Sequence, residues 1–441
     1  MFQTFKNAFK LPDLKGKILL TILIIVLYRI GAAIPVPFVD AAALSSLFEM
    51  GTSQSNSIFG YLNILSGNAF SQATLFALSV SPYITAQIVI QLLTIAIPAL
   101  ERLSKEGEEG QKKINMYTRI LTIILAIVMS YGYYSYMRWG LTGILTTNGE
   151  TFFGAVIIIA CYCAGASIIM WLAEKIDENG IGNGISIILL INIVASWPVS
   201  LYSNVKNIMN SFSAKENGAA IGLIVGVVGV VVVAVLVIAF VVFITNSERR
   251  LQVQYAKRVV GRKMYGGQST FLPLKLNMSG VMPIIFASSI VSLPATIANF
   301  FTPKEGGFFA GLVEAFNYTS PVYIIVYFIL IILFSYFYAA ISFNPIEVAN
   351  NLKKNGGFIT GIRPGKPTSD FIQKILNKIT LVGALFLGVI AVFPLIINAF
   401  TNIGNVAFGG SSLLIVVGVI LETVQALEAQ ITMRHYKGFL G

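Results

Sequence analysis

The chain has 441 residues, of which 56% are apolar and only 11% charged, and its mean hydropathy is +0.79. So few charges cannot cover that much apolar surface in water, so an ordinary soluble domain is excluded and most of the chain reads as membrane-embedded. The formal charge of +11 would suggest a nucleic-acid binder among soluble proteins, but in a membrane protein its distribution over the loops matters more.

In chain order, the basic amphipathic stretch 2–17, FQTFKNAFKLPDLKGK, reads as a retained surface helix, because the apolar run after it is too long for a signal-peptide core. A span needs about 20 mostly apolar residues to cross roughly 30 Å of hydrocarbon. Ten stretches qualify: 17–36, 73–97, 114–136, 152–173, 185–201, 219–245, 276–300, 322–342, 375–398 and 412–432. With the N-terminus on the cytoplasmic side, the outer loops hold only Arg138, Lys206, Lys215 and Lys304, while nearly every other basic residue falls inside. That is the positive-inside pattern, and it places both termini in the cytoplasm. Five spans lie in 1–218 and five in 219–441, so two halves of odd span number sit in opposite orientation, an arrangement that puts a pathway at their interface.

The stretch 58–93 is unusual among these. It is apolar enough to span, yet Asn63, Ser66, Gly67, Asn68, Ser71 and Gln72 interrupt its first half and Pro82 its second. Interrupted backbone at membrane depth is tolerated only where protein or a water-filled cavity satisfies the freed polar groups. The pattern therefore fits a half-helix over 58–70 followed by a span over 73–97; a kinked packing helix fits it as well.

Two inner loops are long and basic. Loop 246–275 holds Arg249, Arg250, Lys257, Arg258, Arg262, Lys263 and Lys275 against one acid, Glu248, and its alternating RLQVQYAKRVV predicts a strand or ribbon. Loop 343–374 holds Lys353, Lys354, Arg363, Lys366 and Lys374, with turn signals at NGG and RPGKP. Basic loops can simply fix topology and touch anionic lipid. Two of about 30 residues on one face favour a docking surface for something large.

Little in the spans suits covalent chemistry. Cys161 and Cys163, one residue apart in an apolar run, match neither a disulfide framework nor zinc-ligand spacing, and His435 is the only histidine. No buried His or Lys pairs with a serine as a base would, so no catalytic residues, metal or cofactor are expected. Arg29 would cost about 3 kcal/mol at mid-membrane and so faces the bundle interior or snorkels. Glu422 carries the same ambiguity nearer a membrane face. Gly222, Gly226 and Gly229 have the spacing of helix packing, and Gly180, Gly182 and Gly184 suit a tight entry turn better than a phosphate loop, since no P-loop lysine follows.

A channel fits this inventory. A secondary transporter with inverted repeats is the alternative, although an ion-coupled carrier would place polar groups at mid-membrane, where these spans are apolar. An intramembrane hydrolase is the third class. Apolar midplanes favour a conduit closed by hydrophobic constriction.

The stretches RIGAAIPVP, ILSGNAFSQATLFALSVSPYITAQIVIQLL, LSKEGEEGQKKI, GIGNGISI, YAKRVVGRKMYGGQSTFLPLKLNMSGVMPIIFASSI, FNPIEVANNLKKNGGFITGIRPG and SSLLIVVGVI follow one another as in the SecY family, which the chain resembles over nearly its whole length. The resemblance implies an all-α polytopic protein of the bacterial cytoplasmic membrane. Its ten helices would form two inverted pseudo-symmetric halves of five around a central pore, with a plug half-helix. Secretory polypeptides would cross through that pore, and membrane segments would leave it sideways. It further implies a pore ring of Val80, Ile84, Ile185, Leu189, Ile285 and Ile415. Val80 and Leu189 depart mildly from the usual isoleucine but keep the gasket apolar, and aliphatic contact closes on a passing chain without selecting its sequence. The plug falls on 58–70, including Ile58, Leu62, Leu65, Gly67 and Phe70. A lateral gate would lie between spans two and three and spans seven and eight, marked by Thr85, Asn183 and Leu293; Asn183 and Thr85 could equally be local caps. Arg249, Arg250, Lys257, Arg258, Arg262, Lys263, Lys353, Lys354 and Arg363 would dock the ribosome and the SecA motor. SecE and SecG are the implied membrane partners, and anionic lipid would meet the same basic face.

Overall fold

A computed structural model describes residues 8–9, 11–50, 58–140, 143–213, 217–255, 258–260, 263–265, 269–300, 307, 311, 314–317, 320–401 and 410–437. Fourteen helices organise the part considered below: α1 Pro12–Gly31, α2 Ala41–Met50, α3 Ile58–Leu65, α4 Ser81–Ala96, α5 Pro98–Lys105, α6 Glu108–Ser135, α7 Phe152–Asn179, α8 Gly184–Ser213, α9 Asn217–Thr245, α10 Met282–Phe300, α11 Pro321–Ser342, α12 Pro345–Lys354, α13 Lys366–Thr401 and α14 Gly410–Lys437.

Each of the ten predicted spans falls on one of these helices, in order: α1, α4, α6, α7, α8, α9, α10, α11, α13 and α14. Among the described residues five helices are long and apolar enough to cross a membrane outright, and a sixth if α4 and α5 count as one span bent by 101°. The bend has a local cause. Pro98 has no N–H to continue the ladder and disfavours helical backbone in the residue before it; Ile97 accordingly sits at φ −107° and ψ 112°. Large apolar side chains such as Leu19, Leu23 and Ile30 of α1 and Ile325, Ile329 and Leu333 of α11 lie exposed on the outside of the bundle. Apolar surface on that scale suits lipid, not water, and the chain is a multi-pass membrane protein.

Residues 2–7 and 10 of the predicted surface helix lie outside the described residues, and from Pro12 onward that stretch already belongs to α1. A larger correction concerns 58–97. The half-helix ends at Leu65, not at residue 70, and the span begins at Ser81, not near 73. Between them the chain runs in turns, with left-handed backbone at Asn68 (φ 69°), Ala73 (φ 46°) and Ser79 (φ 51°). Side chains take over the backbone bonding there. Asn63 Oδ1 accepts from Ser71 N at 2.9 Å, Ser66 Oγ accepts from Phe70 N at 3.0 Å, and Ser71 Oγ donates to Asn68 O at 3.1 Å. Short polar side chains offering such bonds compete with helix, which is why the apolar letters of 73–80 mislead. Tertiary pairing holds the rest: Val36 N donates to Ala73 O at 3.0 Å and Leu75 N to Ile34 O at 2.9 Å.

Within the first five spans, α6 packs on α7 and α4, and α7 on α1 and α8. Among the others, α11 packs on α10 and α13, and α14 on α9 and α13. The two sets meet where α8 contacts α9 and α14, and where α10 contacts α3, α4 and α6. One buried apolar cluster draws on α1, α4, α7, α8, α10, α11, α13 and α14 together.

The predicted ribbon exists. Strands β1 Glu248–Tyr255 and β4 Ser269–Lys275 pair antiparallel, and a smaller hairpin, β2 Arg258–Val260 with β3 Lys263–Tyr265, extends from their tip. Unforeseen is β5 Gly357–Ile359, which comes from the second basic loop and pairs antiparallel with β1, giving a sheet of order β4-β1-β5. Beneath it Leu251, Val253, Leu274 and Ile359 pack with Leu352 of α12 and Ile372 and Ile379 of α13. The two loops are therefore one folded body.

Candidate functional site

The six aliphatic residues singled out from the sequence are all buried, within one large apolar cluster. Val80 precedes α4 and Ile84 lies one turn into it; Ile185 and Leu189 are four apart on α8; Ile285 is on α10 and Ile415 on α14. All six belong to the same apolar cluster, with exposures of 1% for Val80 and Ile415, 2% for Leu189 and Ile285, and 3% for Ile84 and Ile185. A period of four brings the two α8 residues onto one face of the helix. Leu65, the last residue of α3, belongs to that cluster too.

The remaining residues of the predicted plug divide. Leu62 and Phe70 join a second apolar cluster with Tyr133 and Tyr162, in which the Phe70 and Tyr133 rings lie 4.3 Å apart and Tyr133 Oη donates to Phe70 O at 2.6 Å. Gly67 takes φ 65°, and a Cβ there would come to 3.0 Å from the Asn192 backbone, so glycine suits the position on both counts. Ile58 opens α3, but its side chain lies outside the described residues.

Beside α3 is a small cavity lined by Leu62, Leu65 and Phe70, by Ser81 and Thr85 of α4, by Tyr133 of α6 and by Ser289, Ser292, Leu293 and Thr296 of α10. Two of the three predicted gate residues, Thr85 and Leu293, thus face one space. Thr85 Oγ1 also donates to Ser81 O at 3.0 Å. Asn183 is not part of this lining; it caps α8, its Oδ1 accepting from Ser186 N at 3.1 Å. Across the same seam, Tyr338 Oη of α11 donates to Gln91 Oε1 of α4 at 2.6 Å.

Sequence reasoning missed a polar group at the centre. Asn192, fully buried in α8, donates through Nδ2 toward Tyr28 Oη at 2.8 Å, Leu65 O at 2.9 Å and Ser79 Oγ at 3.1 Å. A lone amide in the apolar run SIILLINIVA was the available signal. Arg29 does face the interior, donating to Ile191 O. Glu422 lies partly buried and accepts from Val281 N at 3.0 Å, just before α10 begins. The glycine run makes the entry turn expected of it: Gly184 N donates to Asp177 Oδ1 at 2.7 Å, and a Cβ on Gly184 would meet Ala173 O at 2.1 Å. Gly229 is exposed with no neighbour within 4 Å of a Cβ, while the surroundings of Gly222 and Gly226 lie outside the described residues. Among the described residues no three His, Cys, Asp or Glu side chains gather as metal ligands would.

Of the residues predicted to dock a partner, Arg249 on β1, Lys353 and Lys354 at the end of α12 and Arg363 in the turn after β5 are exposed, and Arg250 is exposed with its Nε 2.7 Å from Glu248 Oε1. Arg363 O accepts from Thr368 Oγ1 at 2.8 Å, which fixes the turn presenting its side chain. The side chains of Arg258 and Lys263, and all of Lys257 and Arg262, lie outside the described residues.

A family model described as SecY matches residues 74–424. The chain belongs to the SecY family. The protein translocase subunit SecY of Streptomyces galbus is 44% identical over 450 residues, covering 100% of both chains, and that of Mycobacterium tuberculosis (strain ATCC 25618 / H37Rv) is 41% identical over 459 residues with the same coverage. Among solved structures, a protein-conducting channel is similar with a TM-score of 0.64 at 20% identity, covering 94% of this chain and 92% of that one. A structure of SecY in which the plug domain stabilises the closed state of the translocation channel gives the same values. Sec61 in the canine ribosome-channel complex scores 0.60 at 18% identity over 94% of this chain and 92% of that chain. The stretch matched to the SecY family model begins in the turns after α3 and ends in α14, so it includes the six clustered aliphatic residues, the cavity residues of α4 and α10, and both basic loops.

Proposed function

We propose that this chain is the pore-forming subunit of a protein-conducting channel of the bacterial cytoplasmic membrane, passing unfolded secretory polypeptides across and releasing membrane segments sideways into lipid. The observation that carries the proposal is the shared burial of six aliphatic side chains from four parts of the chain, with Leu65 of α3 among them. Such a waist excludes water when idle and yields to an extended chain, because apolar contact is non-directional. In this reading α3 and the turns after it plug the resting pore. The cavity between α4, α6 and α10 is the closed lateral gate, opening between the pair α4 and α6 and the pair α10 and α11. The two sets of five spans are the pseudo-symmetric halves, 1–218 and 219–441.

Both termini and both basic loops then face the cytoplasm, as the distribution of Lys and Arg favours. The sheet with α12 supplies Arg249, Arg250, Lys353, Lys354 and Arg363 to a docking surface, and Lys257, Arg258, Arg262 and Lys263 of the first basic loop are counted with it from their charge in the sequence. A ribosome would meet it through phosphates, with steep salt dependence. The SecA motor would meet it by complementary charge and shape. SecE and SecG complete the membrane complex, and anionic lipid lies against the same face. Energy comes from the motor or the ribosome, not from chemistry in this chain.

The direct test is crosslinking of a stalled secretory chain to single cysteines at Ile84, Ile285 and Ile415. All three are expected to react. Reaction at an outward-facing control, Leu333, with none at the three inner positions would sink the pathway.

A further inference from the structure

Four segments of the chain meet at one buried amide. Asn192 Nδ2 lies 2.8 Å from Tyr28 Oη of α1, 2.9 Å from Leu65 O at the end of α3, and 3.1 Å from Ser79 Oγ in the turn before α4. Ser79 Oγ itself donates to Leu65 O at 3.2 Å. The last carbonyls of a helix have no partner within it, and here the Leu65 carbonyl is met by two donors from elsewhere. Ser79 reaches it from left-handed backbone, φ 51°, a conformation that L residues adopt at a cost.

We infer that Asn192 is a releasable latch, a positioning residue that holds α3 in the closed waist and lets go when a polypeptide enters. This rests on the reading of α3 as the plug. Three features argue for it. First, Asn192 lies three residues beyond Leu189 and seven beyond Ile185, on one face of α8, so a chain that spreads those two aliphatics displaces the amide with them. Second, the amide is only partly satisfied. It has two hydrogens for three acceptors, and its Oδ1 has no hydrogen-bond partner among the described residues, so water entering an opened pore offers it more than the closed state does. Third, the backbone at Asn192 is the surface on which Gly67 rests, so the same turn of α8 holds both the end of α3 and the bend that follows. A residue serving only to pack α8 in lipid would need neither the amide nor the alignment with the waist.

The test uses the full channel with its partner subunits, reconstituted in planar bilayers. Asn192→Leu keeps the volume and removes the donors; resting conductance events are expected roughly tenfold more often, as for the loss of one or two ordinary hydrogen bonds. Ser79→Ala is expected to shift them the same way by less. The double variant should leak more often than Asn192→Leu alone, because it leaves the Leu65 carbonyl with neither donor. Export of a precursor with a weakened signal should rise in parallel, a readout that mere loss of packing would not move upward. Sealed channels in both single variants overturn the latch, as does a lowered melting temperature with no leak. If Asn192→Leu does not accumulate, Ser79→Ala and Tyr28→Phe decide on the same criterion. Deletion of α3 separates the two levels of argument: leak on deletion with sealed point variants removes the latch and keeps the plug, whereas a sealed deletion removes both.

Discussion

The hydrogen bond from Tyr338 to Gln91 offers the sharpest test of the gate, because it joins α11 to α4 directly at 2.6 Å. Tyr338→Phe deletes one oxygen and keeps the ring, whose edge-on neighbours Phe286 and Phe337 lie 5.2 and 5.7 Å away. An intramolecular hydrogen bond contributes about 0.5–1.5 kcal/mol net, and Gln91 is not fully buried, so its freed acceptor can turn to water without a large further penalty. If the bond exists only when the gate is shut, its loss multiplies the open fraction by about two- to thirteenfold. The assay is the export rate of a precursor with a weakened signal, relative to the same precursor with an intact one. Gln91→Leu should raise that ratio as Tyr338→Phe does. The two together should give no more than the larger single effect, since each removes the same bond. Effects that simply multiply would show that the residues do not act on each other, and would refute the bond as a tie across the gate.

Arg363→Glu should abolish precursor translocation while the variant still inserts into membranes; translocation at the normal rate would remove the case for docking there. Ile285→Ala should lower the thermal unfolding temperature, since emptying a fully packed site of this size costs about 2–5 kcal/mol, and should raise resting ion leak; unchanged conductance would place Ile285 outside the seal. Ribosome binding to the reconstituted channel should weaken steeply between about 50 and 200 mM salt, as phosphate contacts do. A flat titration would point to a non-electrostatic platform.

The bundle was legible because each span needs a long apolar run, and each predicted span overlaps a helix. The ribbon of β1 and β4 was legible from alternation in RLQVQYAKRVV. What escaped depended on contacts distant in sequence. The run ATLFALSV reads as helix by composition, yet Ala73 and Leu75 bond to the chain at Ile34 and Val36, and Pro82 then fixes the start of α4. The three-residue strand β5 has no local signature; its pairing with Val253, Gln254 and Tyr255 exists only once the loops meet. The clustering of the six aliphatic residues came from family likeness, since nothing in their letters separates them from dozens of neighbours. Asn192 was visible as an oddity, but its partners on α1, α3 and the turn before α4 were not.

The strand β5 also decides how a pull would spread. Residues 276–281 separate β4 from α10 and residues 343–344 separate α11 from α12, so short connections run from the sheet assembly to both helices. A partner that grips either basic loop would therefore have hold of the other. A load on the sheet would reach α10 and α11 together, the two helices that meet α4.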